Sequence, residues 1–170
     1  MKEEVELDIG FSYFGDPDIV EEYKGGESFN VQPGKDKRVI GIDLETIPGT
    51  RQDWDEIPID QITGSADYLP LRDESVNSIF AGGVYGAYVD LEDSVREADR
   101  VLKPGGKIFI RTWGRYMPRL KLLLRSKYRI AEMYTPDSKV DFPDDDPLDY
   151  EWHVRAIKNR RGSNEGKRNY

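Results

Sequence analysis

The chain contains no cysteine and a single histidine, His153. Without cysteine there is no disulfide framework and no thiolate metal site, and an intracellular, cytoplasmic location is the expectation. Long apolar runs are missing as well. Hydrophobic residues are 37% of the 170, and no stretch approaches the roughly 18 consecutive apolar residues of a membrane-spanning helix, so no membrane partner is expected. The start, Met1-Lys2-Glu3-Glu4-Val5-Glu6, is acidic and lacks the layout of a secretory signal. No internal repeat is visible. Metal chemistry has no ligand set either. His153 alternates with Trp152 and Val154 and reads as a surface residue, and Asp144-Asp145-Asp146 lacks calcium-loop spacing.

Basic residues are scarce in the first part of the chain and acids are missing from a later block. Residues 1–99 hold 8 Lys/Arg against 24 Asp/Glu, whereas residues 100–131 hold 10 Lys/Arg and no acid. An acidic body disfavours general adhesion to nucleic acid, whose non-specific binding rests on phosphate contacts. The basic block leaves two readings open. In one, Arg111 and Arg115 rim a cleft and, with Arg119 on the helix that follows, steer an anionic acceptor or a partner protein. In the other, the block neutralises the acidic half.

What is present reads as alternating strands and helices. Val39 to Ile42, ending at Asp43, has the pattern of a buried parallel strand. Ser28–Val31, Ile62–Ala66 and Val76–Ala81 are further strand candidates, the last followed by Gly82-Gly83. The clearest helix is 90–103: Asp90 caps it, and Leu91, Val95, Ala98 and Leu102 form one apolar face. Pro104-Gly105-Gly106 stops it, and Lys107 to Trp113 alternates as a strand. Pro118 opens a second helix to about Lys127, and late strands follow at Tyr128–Tyr134 and Leu148–Ile157. This order predicts one α/β domain over 28–157, preceded by an extension at 1–27 and followed by a polar tail at 158–170. Such a sheet binds ligands beyond the carboxyl ends of its strands.

Three segments carry a resemblance. They are Val39-Ile40-Gly41-Ile42-Asp43-Leu44; the run Ala66-Asp67-Tyr68-Leu69-Pro70-Leu71-Arg72-Asp73-Glu74-Ser75; and Arg100-Val101-Leu102-Lys103-Pro104-Gly105-Gly106. In this order the chain resembles the class I S-adenosylmethionine-dependent methyltransferases, particularly the type 11 subgroup, over about residues 28–113. The resemblance implies a compact Rossmann-like, doubly wound and mostly parallel sheet. It also implies S-adenosylmethionine as cofactor, near Asn30, Gln32, Gly34, Asp43, Leu44, Asp67, Tyr68 and Gly82. A carboxylate at a strand end, such as Asp43, can accept from both hydroxyls of a ribose, at roughly 1.5–3 kcal/mol for each charge-assisted bond. The resemblance gives Asp67 the adenine amino group and Leu44 an adenine face.

The family's first strand ends in a glycine-rich loop. Here Phe29-Asn30-Val31-Gln32-Pro33-Gly34 stands in the matching place, with only Gly34 kept, and the connector to the next strand is too short for a crossover helix. Tyr85 is the weak candidate for a catalytic or acceptor-orienting group beside Gly82-Gly83. Methyl transfer from a sulfonium often needs only positioning and desolvation. Two functions are therefore open: a methyltransferase of unassigned acceptor, or a catalytically inactive methyltransferase-like binding or scaffold subunit.

Overall fold

The computed structural model describes residues 4–9, 37–43, 59–82, 89–135 and 151–160. The strands among them are β1 (Glu4–Ile9), β2 (Lys37–Asp43), β3 (Ile59–Thr63), β4 (Val76–Gly82), β5 (Leu102–Trp113), β6 (Tyr128–Tyr134) and β7 (Glu151–Lys158). They form one seven-stranded sheet in the order β3-β2-β1-β4-β5-β7-β6. The pairs from β3 through β5 are parallel, and β7 runs antiparallel to both β5 and β6.

The register builds the core. Ile40, Leu7, Ile79, Ile108 and Ala156 are successive cross-strand neighbours, and so are Ile42, Ile9, Ala81, Ile110 and Val154. Neighbours in register share a face, so these ten buried side chains pave one side of the sheet. Helices α1 (Leu91–Val101) and α2 (Met117–Arg125) bring Val95, Ala98, Leu120 and Leu124 into the same apolar cluster. Helix α1 begins where Asp90 accepts hydrogen bonds from the N–H groups of Glu92 and Asp93, both 2.9 Å. Such a cap contributes about 1 kcal/mol. Pro118 sits in the first turn of α2, where its missing N–H costs nothing.

The expectation of an extension over 1–27 is corrected at residues 4–9. Glu4–Ile9 is an inner strand, paired with β2 on one side and β4 on the other. Its start is tied down by Asn77, whose Oδ1 accepts from Val5 N–H at 3.0 Å and from Lys103 Nζ at 2.7 Å. The connection from β1 to β2 is therefore 10–36, more than twice the dozen or so residues a parallel crossover needs. The expected strand Ser28–Val31 and the aspartate loop 144–146 lie outside the described residues, as do residues 161–170.

Helix α1 stops at Val101, and Pro104-Gly105-Gly106 falls inside β5 as a bulge: Val76 pairs with Leu102, but Ser78 pairs with Lys107. Each glycine has its own reason. Gly105 has φ +81, a conformation that side chains disfavour. A Cβ on Gly106 would stand 2.8 Å from the Asn77 carbonyl oxygen and 2.8 Å from Leu102 Cδ1. Gly106→Ala should therefore destabilise the fold by about 1–3 kcal/mol through overpacking against fixed backbone. Denaturant unfolding measures this, and an unchanged midpoint would refute the account of the bulge.

Candidate functional site

The parallel strands finish at one edge. Asp43 closes β2 opposite Thr63, Ile9 closes β1, and Gly82 closes β4 opposite Arg111. The strand order reverses between β1 and β4, and the crevice beyond such a reversal is where open α/β sheets bind ligands. Of the residues expected there, Asp43 has its backbone on this edge, while its side chain lies outside the described residues. Gly82 is buried, and with no side chain it lets other groups come close to the end of β4. Asn30, Gln32, Gly34, Leu44 and Tyr85 lie outside the described residues.

Beyond β3 the chain makes a tight turn, in which Tyr68 N–H donates to the Ser65 carbonyl at 3.1 Å. Asp67 and Tyr68 occupy this turn. Asp67 is half-buried and Tyr68 is 78% exposed. The turn hangs between two buried residues, Ala66 and Leu69.

The segment after the turn is held by one helical pair that the sequence reading missed. Glu97 and Arg100 on α1 form a two-point ion pair, Nε to Oε1 at 2.9 Å and Nη2 to Oε2 at 2.7 Å. Glu97 Oε2 also accepts from Leu69 N–H at 3.0 Å. Arg100 donates to the carbonyls of Leu69 (2.8 Å) and Leu71 (2.7 Å) and to Asp73 Oδ1 (2.7 Å). Its own carbonyl accepts from Glu74 N–H at 2.9 Å, where the backbone turns through φ 51 into β4. These bonds hold the Glu97 carboxyl below its ordinary range, first through the Arg100 side chain, then through Leu69 N–H, against the opposing effect of burial. The Arg100 guanidinium is correspondingly pushed up, first by Glu97 and then by Asp73.

Two expectations are corrected. Arg111 does not offer a free charge to the cleft. It is 7% exposed, and its Nε lies 3.4 Å from Glu151 Oε2 on β7. Arg119 is exposed but pairs with Glu92 at the start of α1. Lys127 pairs with Asp99 at 2.7 Å, so these cations of the 100–131 block answer acids from elsewhere in the chain. Arg115 is exposed on the short 3-10 turn (Gly114–Tyr116) that follows β5. His153, read from the sequence as a surface residue, is 3% exposed. It lies in register between Arg111 and Tyr134, bonds Glu151 through Nε2 at 2.8 Å, and meets Phe109 and Tyr134 edge-on. Because β7 is an inner strand, alternation sets which face the residue points to but does not leave that face open. Among the described residues, no helix is long and apolar enough to cross a membrane.

A mostly parallel sheet with this order, reversing at β1 and β4 with helices against its face, defines a Rossmann-like α/β protein of the class I methyltransferase type. Comparison with known proteins agrees. The profile of the methyltransferase domain family matches residues 25–110, and the chain belongs to that family. The match begins downstream of β1. The chain is 35% identical over 74 residues to the malonyl-[acyl-carrier protein] O-methyltransferase of Methylococcus capsulatus. That alignment covers 44% of this chain and 26% of that protein, so the matched part spans about a quarter of the relative's length. Among solved structures, the [4+2]-cyclase SpnF superposes with a TM-score of 0.66 at 15% identity, covering 94% of this chain and 76% of that one. The 1,6-didemethyltoxoflavin-N1-methyltransferase of Burkholderia thailandensis, solved with 1,6-didemethyltoxoflavin and S-adenosylhomocysteine, superposes with a TM-score of 0.61. It is 16% identical, with 93% of this chain and 72% of that one covered.

The depressed Glu97 value sets an acid limit. A carboxylate whose folded value lies below its unfolded one, near 4.3, stabilises the fold above that pH. The contribution is lost as pH falls through the folded value. Glu97→Gln should cost about 1–3 kcal/mol at pH 7, and the cost should shrink as the parent chain is acidified below about pH 4. Unfolding midpoints of both chains across pH 3–7 measure this, and a pH-independent difference would contradict it.

Proposed function

We propose that the chain binds S-adenosylmethionine across the carboxyl ends of β1 to β4 and transfers its methyl group to an acceptor of unassigned class. The observation that carries this is the strand reversal at β1 and β4, with Asp43 and the Asp67 turn on one side of it and the bare Gly82 on the other. The donor set fits. The nucleoside offers two ribose hydroxyls and an adenine amino group, all donors, and Asp43 and Asp67 are acceptors. Asp67 makes no hydrogen bond or ion pair among the described residues, so its carboxylate has capacity to accept.

When bound, the cofactor supplies an electrophilic methyl group on a sulfonium sulfur. The residues of this chain do the rest. Asp43 holds the ribose, Asp67 the adenine edge, and Tyr68 flanks it, while Gly82 leaves room for donor and acceptor to approach at the end of β4. Tyr85, two residues beyond Gly83, is proposed to orient the acceptor. Strand β1 ends at Ile9, so the residues that follow it in the chain begin with Gly10, well upstream of Gln32. We therefore assign the close backbone approach, expected from Asn30, Gln32 and Gly34, to the run Gly10-Phe11-Ser12-Tyr13-Phe14-Gly15. A second reading, binding without methyl transfer, draws support from the likeness to SpnF, a protein described as a cyclase.

Calorimetry with S-adenosylhomocysteine tests the proposal. The expected affinity is micromolar, on the order of −8 kcal/mol. Asp43→Ala should weaken binding at least tenfold, and Gly10→Val should do the same by placing a branched side chain where the backbone must come close. Replacing Gln32 and Pro33 together by glycine should leave affinity within about twofold. No heat of binding at millimolar ligand would overturn the function. A large gain in the double glycine variant would return the loop to residues 32–34.

A further inference from the structure

We infer that Glu97 and Arg100 are positioning residues for nucleoside binding, setting from helix α1 the location of the Asp67-Tyr68 turn. The inference rests on the proposed cofactor site and adds residues that do not touch the ligand.

The geometry that carries it is the concentration of anchors. After β3 the chain runs from Ser65 to Ser75 without regular secondary structure apart from the Ser65–Tyr68 bridge. Such a segment normally satisfies its backbone groups with water or scattered side chains. Here the Glu97 carboxylate takes Leu69 N–H, and the Arg100 guanidinium takes the carbonyls of Leu69 and Leu71. The Arg100 carbonyl takes Glu74 N–H. Leu69 is thus fixed three ways: its side chain in the core, its N–H by Glu97 and its carbonyl by Arg100. Asp67 and Tyr68 stand two residues and one residue before it, between this fixed point and buried Ala66.

The pair is itself rigid. Arg100 is planar and binds Glu97 through two parallel bonds, which fixes orientation as well as distance. Glu97 is mostly buried, its side chain 12% exposed, so water competes weakly for it. Helix α1 is in turn seated by Val95, Ala98 and Val101. A half-buried carboxylate on a short turn selects an adenine edge only if its place is fixed before the ligand arrives; otherwise the ordering is charged against affinity. An ion pair whose other hydrogen bonds go to the very segment beside that turn, to the backbone at Leu69 and Leu71 and to the Asp73 side chain, meets this need.

The test compares nucleoside affinity with stability. S-adenosylhomocysteine and adenosine are titrated by calorimetry into the parent chain, Arg100→Ala, Glu97→Gln and Val95→Ala. Val95→Ala is the control: it opens a cavity under the same helix and lowers the melting temperature without touching the pair. Arg100→Ala should weaken both ligands about tenfold. Glu97→Gln, whose amide oxygen can still accept from Leu69, should weaken them about threefold. Val95→Ala should leave both within twofold despite comparable thermal destabilisation. Amide exchange at Leu69 in the ligand-free state should quicken in the first two variants and not in the control. If affinity stays unchanged in Glu97→Gln and Arg100→Ala, or falls in step with melting temperature in all three, the pair is purely structural and the inference is wrong. If Arg100→Ala does not fold, Glu97→Gln and the exchange measurement decide alone. If the parent chain binds neither ligand, the function reading fails and takes the inference with it.

Discussion

A strand inside a parallel sheet must pair its backbone on both edges, and in this protein that constraint falls on Glu4–Ile9. With β2 on one side and β4 on the other, this short segment joins the two halves of the sheet. Everything proposed about ligand binding follows from its place. The reversal of strand order lies at its edge with β4, and the connection to β2 leaves from its end at Ile9. Leu7 and Ile9 also link Ile40 and Ile42 of β2 to Ile79 and Ala81 of β4 in the two cross-strand rows that share one apolar cluster with α1 and α2.

Helix α1 couples the core to the candidate site. One face supplies Val95, Ala98 and Val101 to the core, and the flank supplies Glu97 and Arg100 to the segment after β3. The run Arg100-Val101-Leu102-Lys103-Pro104-Gly105-Gly106 therefore holds together for several separate reasons. Arg100 binds the loop before β4, Val101 and Leu102 are buried, and Lys103 reaches Asn77 at the start of β1's partner strand. Gly105 and Gly106 make the bulge that lets β5 follow the helix at once. A motif read in sequence as the end of a helix is, in space, the junction of a helix, the bulge of β5 and a loop.

Much of the fold is legible in the sequence, and the exceptions have physical causes. The cap at Asp90, the spacing of Leu91, Val95 and Ala98, and the apolar run at Val39–Ile42 all report local preferences, and they give α1 and β2 directly. Strand β1 is obscured because its apolar Val5, Leu7 and Ile9 alternate with Glu4, Glu6 and Asp8, which reads as an acidic, solvated start. The burial of His153 and Arg111 is hidden for a related reason. Period-two alternation tells which face a side chain takes, not whether that face is covered. At the site, the strand ends at Asp43 and Gly82 are legible as places. The Glu97–Arg100 pair is not: along the sequence it is an ordinary i,i+3 pair on a helix. Its meaning lies in bonds to backbone groups 26 to 31 residues away, and main-chain acceptors leave no mark on the sequence.

Amide hydrogen exchange of Val5 to Ile9 tests the central placement most directly. An inner strand opens only with the sheet, so these amides should be protected to the same degree as Ile79–Ala81 of β4. Exchange of residues 5–9 at the rate of an unstructured terminal segment, with β4 still protected, would contradict the placement of β1 and with it the position of the proposed site.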